Sequence, residues 1–171
     1  MNLQELQAAF EDKGLAVRVQ TVTAGVKKPT PRHTLWVPVE RHQLKEVVAD
    51  LIAMTDHFPH FCVISPSDEG DQVELNYHFT VNYGTPQGEL AITLKVTVPK
   101  DDCWVPTLTD LIPGTAFSER EIIEMMGVDV HDLADKRHLF LTEDFPTDVY
   151  PWRRDDTGPR DTNKLYEGWK E

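Results

Sequence analysis

The chain has only two cysteines, Cys62 and Cys103, and they do not form a CxxC pair. That scarcity argues against an iron–sulfur cluster or a zinc site built from this chain alone. In a reducing cytosol it also argues against a disulfide. Glycine is scarce too, at 9 of 171 residues, and there is no GxGxxG or Walker loop to cradle a phosphate. HExxH and GxSxG are absent. No apolar run approaches the roughly 20 residues that a bilayer-crossing helix needs. The opening stretch, MNLQELQAAFEDKG, lacks a charged region followed by an apolar one, so it does not read as a secretory signal. Cytoplasmic residence is the expectation, with any membrane association running through a partner.

Positive charge is in short supply: 17 Lys and Arg stand against 29 Asp and Glu, a net charge of −12. Divided after Pro99, the first part carries −4 and the second −8. Nucleic-acid binding needs a basic face, so this balance argues against it. It argues equally against direct docking on an anionic lipid surface. Solubility and a basic protein partner account for the acidity equally well.

What is present is enough chain for one domain with a real core. Leu3, Leu6 and Phe10 recur at helical spacing, which predicts a helix over 2–13. LAVRVQTV (15–22) alternates as a strand, AGVKKPTPR (24–32) reads as a loop, and TLWVPV (34–39) as a short strand ending at Pro38. Leu44, Val47, Val48, Leu51 and Ile52 predict a second helix over about 40–54. FCVIS (61–65) follows as a strand. Val73, Leu75, Tyr77 and Phe79 alternate with polar residues, as do Leu90, Ile92, Leu94, Val96 and Val98. With the turn YGTPQGE between them, these two runs predict an antiparallel hairpin. The fold class is therefore α+β, a mostly antiparallel sheet with two helices on one face. An extended, partly irregular C-terminal segment completes it.

SEREIIEMMG (118–127) predicts a further short helix over 119–126. Ser118 is its expected N-cap, Glu121 completes an S-x-x-E capping box, and Gly127 stops it. Glu119 at N1 and Glu121 at N3 suit the positive helix end better than they suit a catalytic pair, because i and i+2 point to different sides. Arg120 between them is a candidate for a carboxylate pair, within the domain or across an interface. The expected division is an α+β domain over 1–127 and a partner-docking segment over 128–171. That segment retains Phe140, Phe145, Tyr150, Trp152, Tyr166 and Trp169, more aromatic residues than a disordered tail carries, so it reads as held by a partner. In the isolated chain its amides are expected to exchange fast. Within it, VYPWRRDD sets Pro151 and Trp152 before Arg153, Arg154 and Asp155. This reads as a rigid turn presenting two guanidinium groups to an acidic surface, since Trp and Arg are enriched at interface hot spots.

Two constellations point elsewhere. Asp56, His57, His60 and Cys62 lie close together, but Pro59 disrupts the helical spacing a metal site would use. Cys103 as a nucleophile lies beside two acids, which disfavour the thiolate, and has no evident base. They leave open a stand-alone metal- or cysteine-dependent enzyme. An adaptor outside any redox complex is the other alternative.

Residues 100–155 resemble the thirty-kilodalton-subunit family of respiratory complex I, the NADH-quinone oxidoreductase. The relatives of that family include the accessory subunit of energy-converting, membrane-bound nickel–iron hydrogenases. Val105, Pro106, Thr107, Leu108, Thr109 and Asp110 resemble its V-P-S-L-T-D run. Phe117, Glu119, Arg120, Glu121 and Gly127 match its E-R-E…G signature. Arg137, Leu139, Leu141, Glu143 to Pro146, then Pro151, Arg153 and Asp155, resemble its closing run. EMMGVDVHDLAD lacks the Phe residues and the Gly-His-Pro of respiratory members, and Trp152 and Arg154 replace Leu and Lys. These departures point away from an ordinary NADH dehydrogenase and toward a hydrogenase-type or other complex I-like assembly.

The resemblance implies a non-catalytic accessory subunit of a membrane-associated complex I-like oxidoreductase, without an active site or cofactor of its own. It implies docking on the large subunit of the peripheral arm, of the forty-nine-kilodalton or hydrogenase-large type, beside iron–sulfur subunits. Iron–sulfur clusters, and a Ni-Fe or quinone site, would lie in those neighbours. The residues expected to bind a partner, from the resemblance together with the reading of the VYPWRRDD turn, are Glu119, Arg120, Glu121, Gly127, Arg137, Pro151, Trp152, Arg153, Arg154 and Asp155.

Overall fold

In the computed structural model of the chain, residues 2–85 and 88–159 are described. Tyr166 and Trp169 lie outside them. Ten regular elements follow in order: α1 (Leu3–Asp12), β1 (Arg18–Ala24), β2 (Thr30–Pro38), α2 (Leu44–Met54), β3 (His60–Asp68), β4 (Gln72–Val81), β5 (Leu90–Pro99), β6 (Trp104–Pro106), α3 (Ala116–Met126) and β7 (Asp129–His131).

The larger sheet runs β1-β2-β5-β4-β3. Three of its four seams are antiparallel, and the β4–β5 hairpin pairs without interruption from Gln72↔Pro99 to Val81↔Leu90. The fourth seam, β2 against β5, is parallel. Period-2 alternation sorts the residues by face. Leu35, Val37, Ile64, Val73, Leu75, Tyr77, Phe79, Ile92, Leu94, Val96 and Val98 are buried on one side. Leu6 and Phe10 of α1, Val47, Val48 and Leu51 of α2, and Ile122 and Met126 of α3 join them in one continuous core. The opposite face carries Glu74, Asn76, His78, Thr93 and Lys95, with the His78 ring bridging Ser65 Oγ and Thr93 Oγ1 at 3.0 Å each.

Several local expectations are corrected. The stretch 24–32 is not a loop throughout: β1 runs on to Ala24 and β2 begins at Thr30, leaving a five-residue turn. Pro31 fits because extended backbone suits its fixed φ, and here it lies at the outer end of the hairpin. The capping box falls at α1, where Asn2 Oδ1 accepts from Glu5 N (3.0 Å) and Asn2 N donates to Glu5 Oε2 (2.8 Å). At α3, a short 3₁₀ turn over Pro113–Thr115 leads straight into the helix, which starts at Ala116. Ser118 therefore sits inside the first turn and caps nothing. Glu119 lies at the fourth helical position, still within the first turn, rather than at the first.

The described part of the C-terminal segment is irregular apart from β7, which pairs in parallel with β6. Over 129–158 the chain itself holds it. Trp152 N donates to Met125 O (3.0 Å), Arg154 N to Asp68 Oδ2 (2.8 Å), and Lys100 joins Asp68 to Asp155. The polar backbone of an irregular segment needs such partners when it lies against a core. Here it finds them within the same chain.

Candidate docking site

Helix α3 organises the site through two buried acids with different tasks. Glu119 is 1% exposed. It accepts from Thr107 Oγ1 (2.5 Å), Leu108 N (2.7 Å) and Thr115 Oγ1 (2.9 Å). It ties the run after β6 to the start of the helix. Five positions along, on another face, Glu124 accepts from Leu139 N and Phe140 N at 2.9 Å, with Leu141 N (3.4 Å) and His138 Nδ1 (3.3 Å) close by. Burial pushes its pKa up, but those backbone N–H groups and His138 outweigh burial and hold the carboxyl below its ordinary range. Glu121 is half-buried; burial, with the charge of Glu124 added, raises its pKa.

Arg120 is taken up inside the chain. Its Nε donates to Arg137 O (2.9 Å) and its Nη2 to His138 O (2.8 Å). Together with Glu124, this clamps residues 137–141 along the helix. Arg137 itself projects, with a side chain 84% exposed and a bidentate pair to Asp135.

The C-terminus of α3 is closed by VYPWRRDD. Gly127 is left-handed at φ 65°, and its N–H and that of Val128 return to Ile123 O (3.0 Å) and Ile122 O (3.3 Å). Arg153 is turned inward: Nε donates to Met126 O (2.7 Å) and the guanidinium lies 5.5 Å from the centre of the Tyr150 ring. A cation at the carbonyl end of a helix is favourably placed. The expectation that both guanidinium groups face outward is thus corrected, because Arg153 satisfies a helix carbonyl and is 9% exposed. Its neighbours Trp152 (44% exposed) and Arg154 face solvent. Pro151 is half-buried, and Asp155 pairs with Lys100.

The remaining constellations do not converge. Asp56, His57, His60 and Cys62 are all exposed, and His60 stacks on Tyr83 with ring centres 5.2 Å apart. No three His, Cys, Asp or Glu side chains among the described residues come together as metal ligands would. Burial raises the Cys103 thiol pKa despite the nearby Arg153, Arg41 and Lys100.

The sequence reading missed an aromatic groove at the N-terminal end of α3. Phe58 (60% exposed), Tyr83 (65%) and Phe117 (64%) border a shallow cavity of about 520 Å³ floored by Pro59 and Ile112. The signal was available: each of these rings lies within four residues of a proline or glycine, and loops of that kind expose what they carry. Three large exposed rings gathered at one place make this groove a candidate interaction surface. Phe117 and Trp152 thus stand near opposite ends of α3, which spans roughly 16 Å.

Comparison with known proteins follows the same lines. Residues 37–162 match the model of the family described as respiratory-chain NADH dehydrogenase, 30 Kd subunit. The chain is 35% identical over 127 residues to the membrane-bound hydrogenase subunit beta of Pyrococcus furiosus, covering 74% of this chain and 72% of that one. It is 31% identical over 163 residues to a subunit of the NADH-quinone oxidoreductase of Moorella thermoacetica, covering 90% and 91%. Two further curated relatives are much longer, and the chain spans only 16% of each. Among solved structures, a chain of the archaeal membrane-bound sulfane sulfur reductase shares the fold, with a TM-score of 0.72 at 18% identity over 98% of this chain and 94% of that one.

Proposed function

The chain belongs to the respiratory-chain NADH dehydrogenase 30-kDa subunit family, and from that premise we propose that it is a non-catalytic accessory subunit of a membrane-associated complex I-like oxidoreductase. One observation carries the reading. The signature residues Arg120, Gly127 and Arg153 lock the C-terminal segment onto α3, while Phe117, Trp152 and Arg154 are left facing outward. That is the arrangement of a rigid presenting surface.

In this reading residues 1–127 form the body, and 128–171 form the docking segment. Its described part lies on the body before any partner arrives. The occupant is the large catalytic subunit of the peripheral arm, with iron–sulfur subunits beside it. Iron–sulfur clusters, and a Ni-Fe or quinone site, belong to those neighbours. The departures of EMMGVDVHDLAD from the respiratory pattern favour a hydrogenase-type complex. No described helix is long and apolar enough to cross a membrane, so attachment at the cytoplasmic face would run through the complex.

The test is co-purification from native membranes of a Phe117→Ser, Trp152→Ala, Arg154→Glu variant. Loss of the chain from the complex, with the isolated chain still folded, is the expected result. Normal assembly and normal turnover would sink the proposal.

A further inference from the structure

β1 and β2 form a hairpin that stands out from the body: every residue from Gln20 to Arg32 is exposed. At its tip Gly25 is held at φ 116°, where an added Cβ would meet Lys28 O at 2.7 Å, so the turn shape requires glycine. Val22 is 54% exposed and Val26 fully exposed. Charge is unevenly shared here. Arg18, Lys27, Lys28 and Arg32 fall in a stretch, 13–39, that contains no acid, in a chain where acids outnumber bases 29 to 17. None of these four is in an ion pair among the described residues.

The two edges of the sheet also differ. β3, at one edge, has a bulge between Phe61 and Val63 and carries Pro66, both devices that discourage further pairing. β1, at the other, has neither: its seven residues RVQTVTA pair with β2 in unbroken register from Arg18↔Trp36 to Ala24↔Thr30. In such a strand every second residue turns its N–H and C=O away from its neighbour, which leaves a row of unpaired groups along the outer edge.

We propose that β1 is an acceptor edge that takes up an extended, acidic segment of a partner polypeptide as a sixth strand. Main-chain hydrogen bonds would supply affinity and the basic flank would select the occupant by charge. A second copy of this chain is a poor occupant, since pairing β1 with β1 brings two basic hairpins together. A lipid surface is disfavoured as well, because the tip carries no aromatic residue to anchor it and the rest of the chain is strongly acidic. The acceptor edge shares no residue with the α3 surface, so each reading can fail without the other.

The test titrates the full-length chain with a labelled acidic peptide, Thr-Glu-Val-Glu-Val-Asp-Thr, and follows amide shifts. Shifts concentrated in Val19–Ala24 are expected. A Lys27→Glu, Lys28→Glu, Arg32→Glu variant should bind about tenfold more weakly, and the difference should shrink at high salt. Thr21→Pro and Val22→Pro, made separately, remove one inward and one outward N–H. The outward one should abolish binding while the β2 amides keep their protection. Shifts elsewhere, no binding, or binding indifferent to the charge reversal would overturn the proposal. So would hairpin-dependent binding to phosphatidylserine vesicles without peptide binding, or a dimer joined through β1.

Discussion

Gly127 and Tyr150 are packed so closely that a β-carbon on Gly127 would lie 2.5 Å from Tyr150 Cζ. The glycine thus meets two demands together, the left-handed turn that ends α3 and the space for a ring from the segment that folds back over it. Gly127→Ala should cost about 2–4 kcal/mol, from left-handed strain and from overpacking. A thermal-melt cycle separates the two. In a Tyr150→Ala background, only the strain part, about 1–2 kcal/mol, should remain. Equal costs in both backgrounds would show that the ring contact contributes nothing.

Arg153 and Arg154 should behave differently although they are adjacent. Arg153→Ala removes the bond to Met126 O and the contact with Tyr150, an expected loss of about 2 kcal/mol in the isolated chain. For a chain of this size that corresponds to a melting point lower by about 4–8 °C. Arg154→Ala leaves the backbone bond to Asp68 in place and should stay within about 0.5 kcal/mol of the parent. Equal melting points for the two variants would contradict the inward placement of Arg153.

Glu124 sets a pH limit on the 138–141 clamp. Its folded pKa is lowered, so its contribution is complete above the ordinary value of 4.5 and is lost as pH falls through the lower folded value. Amide protection at Leu139 and Phe140 should therefore hold at pH 6 and decline below about pH 4. Glu124→Gln should weaken that protection at all pH values and flatten the decline. Protection that persists unchanged to pH 2 would refute the assignment.

Tyr77 offers a substitution in the favourable direction. Its hydroxyl is fully buried without a hydrogen-bond partner among the described residues, and burial, with the charge of Glu119 added, raises its pKa. Tyr77→Phe removes an unsatisfied polar group from the core and should be neutral or stabilising by up to about 1 kcal/mol. A melting point lowered by several degrees would reveal a partner for the hydroxyl.

Much of this fold was legible because burial on one face leaves a period in the sequence. The β4–β5 hairpin and the apolar stripe of α2 follow from alternation and from i, i+3, i+4 spacing. What was illegible depends on contacts between distant positions. Nothing near Glu119 in sequence announces that Thr107 and Leu108 will reach it, so it read as a helix-end acid. Arg153 read as a surface cation because the carbonyl that receives it, on Met126, is 27 residues away. The hairpin 18–38 was read too short because its prolines signal a loop, although extended backbone at an outer end accommodates them. The C-terminal aromatics suggested a partner, yet at Tyr150 the contact lies within the chain.

The parallel seam between β2 and β5 also bears on how the molecule assembles in time. β1–β2 and β3–β4–β5 are each built from neighbours in sequence, whereas Thr34 must meet Ala91 across 57 residues. Two local units can therefore form early, and joining them requires closing the largest loop in the sheet, the step with the heaviest entropic demand. Val37→Ala, at the seam, should slow refolding, while Val22→Ala, in the exposed hairpin, should leave the rate unchanged. The seam is thus expected to close last, and until it does the edges of β2 and β5 lie open to wrong partners.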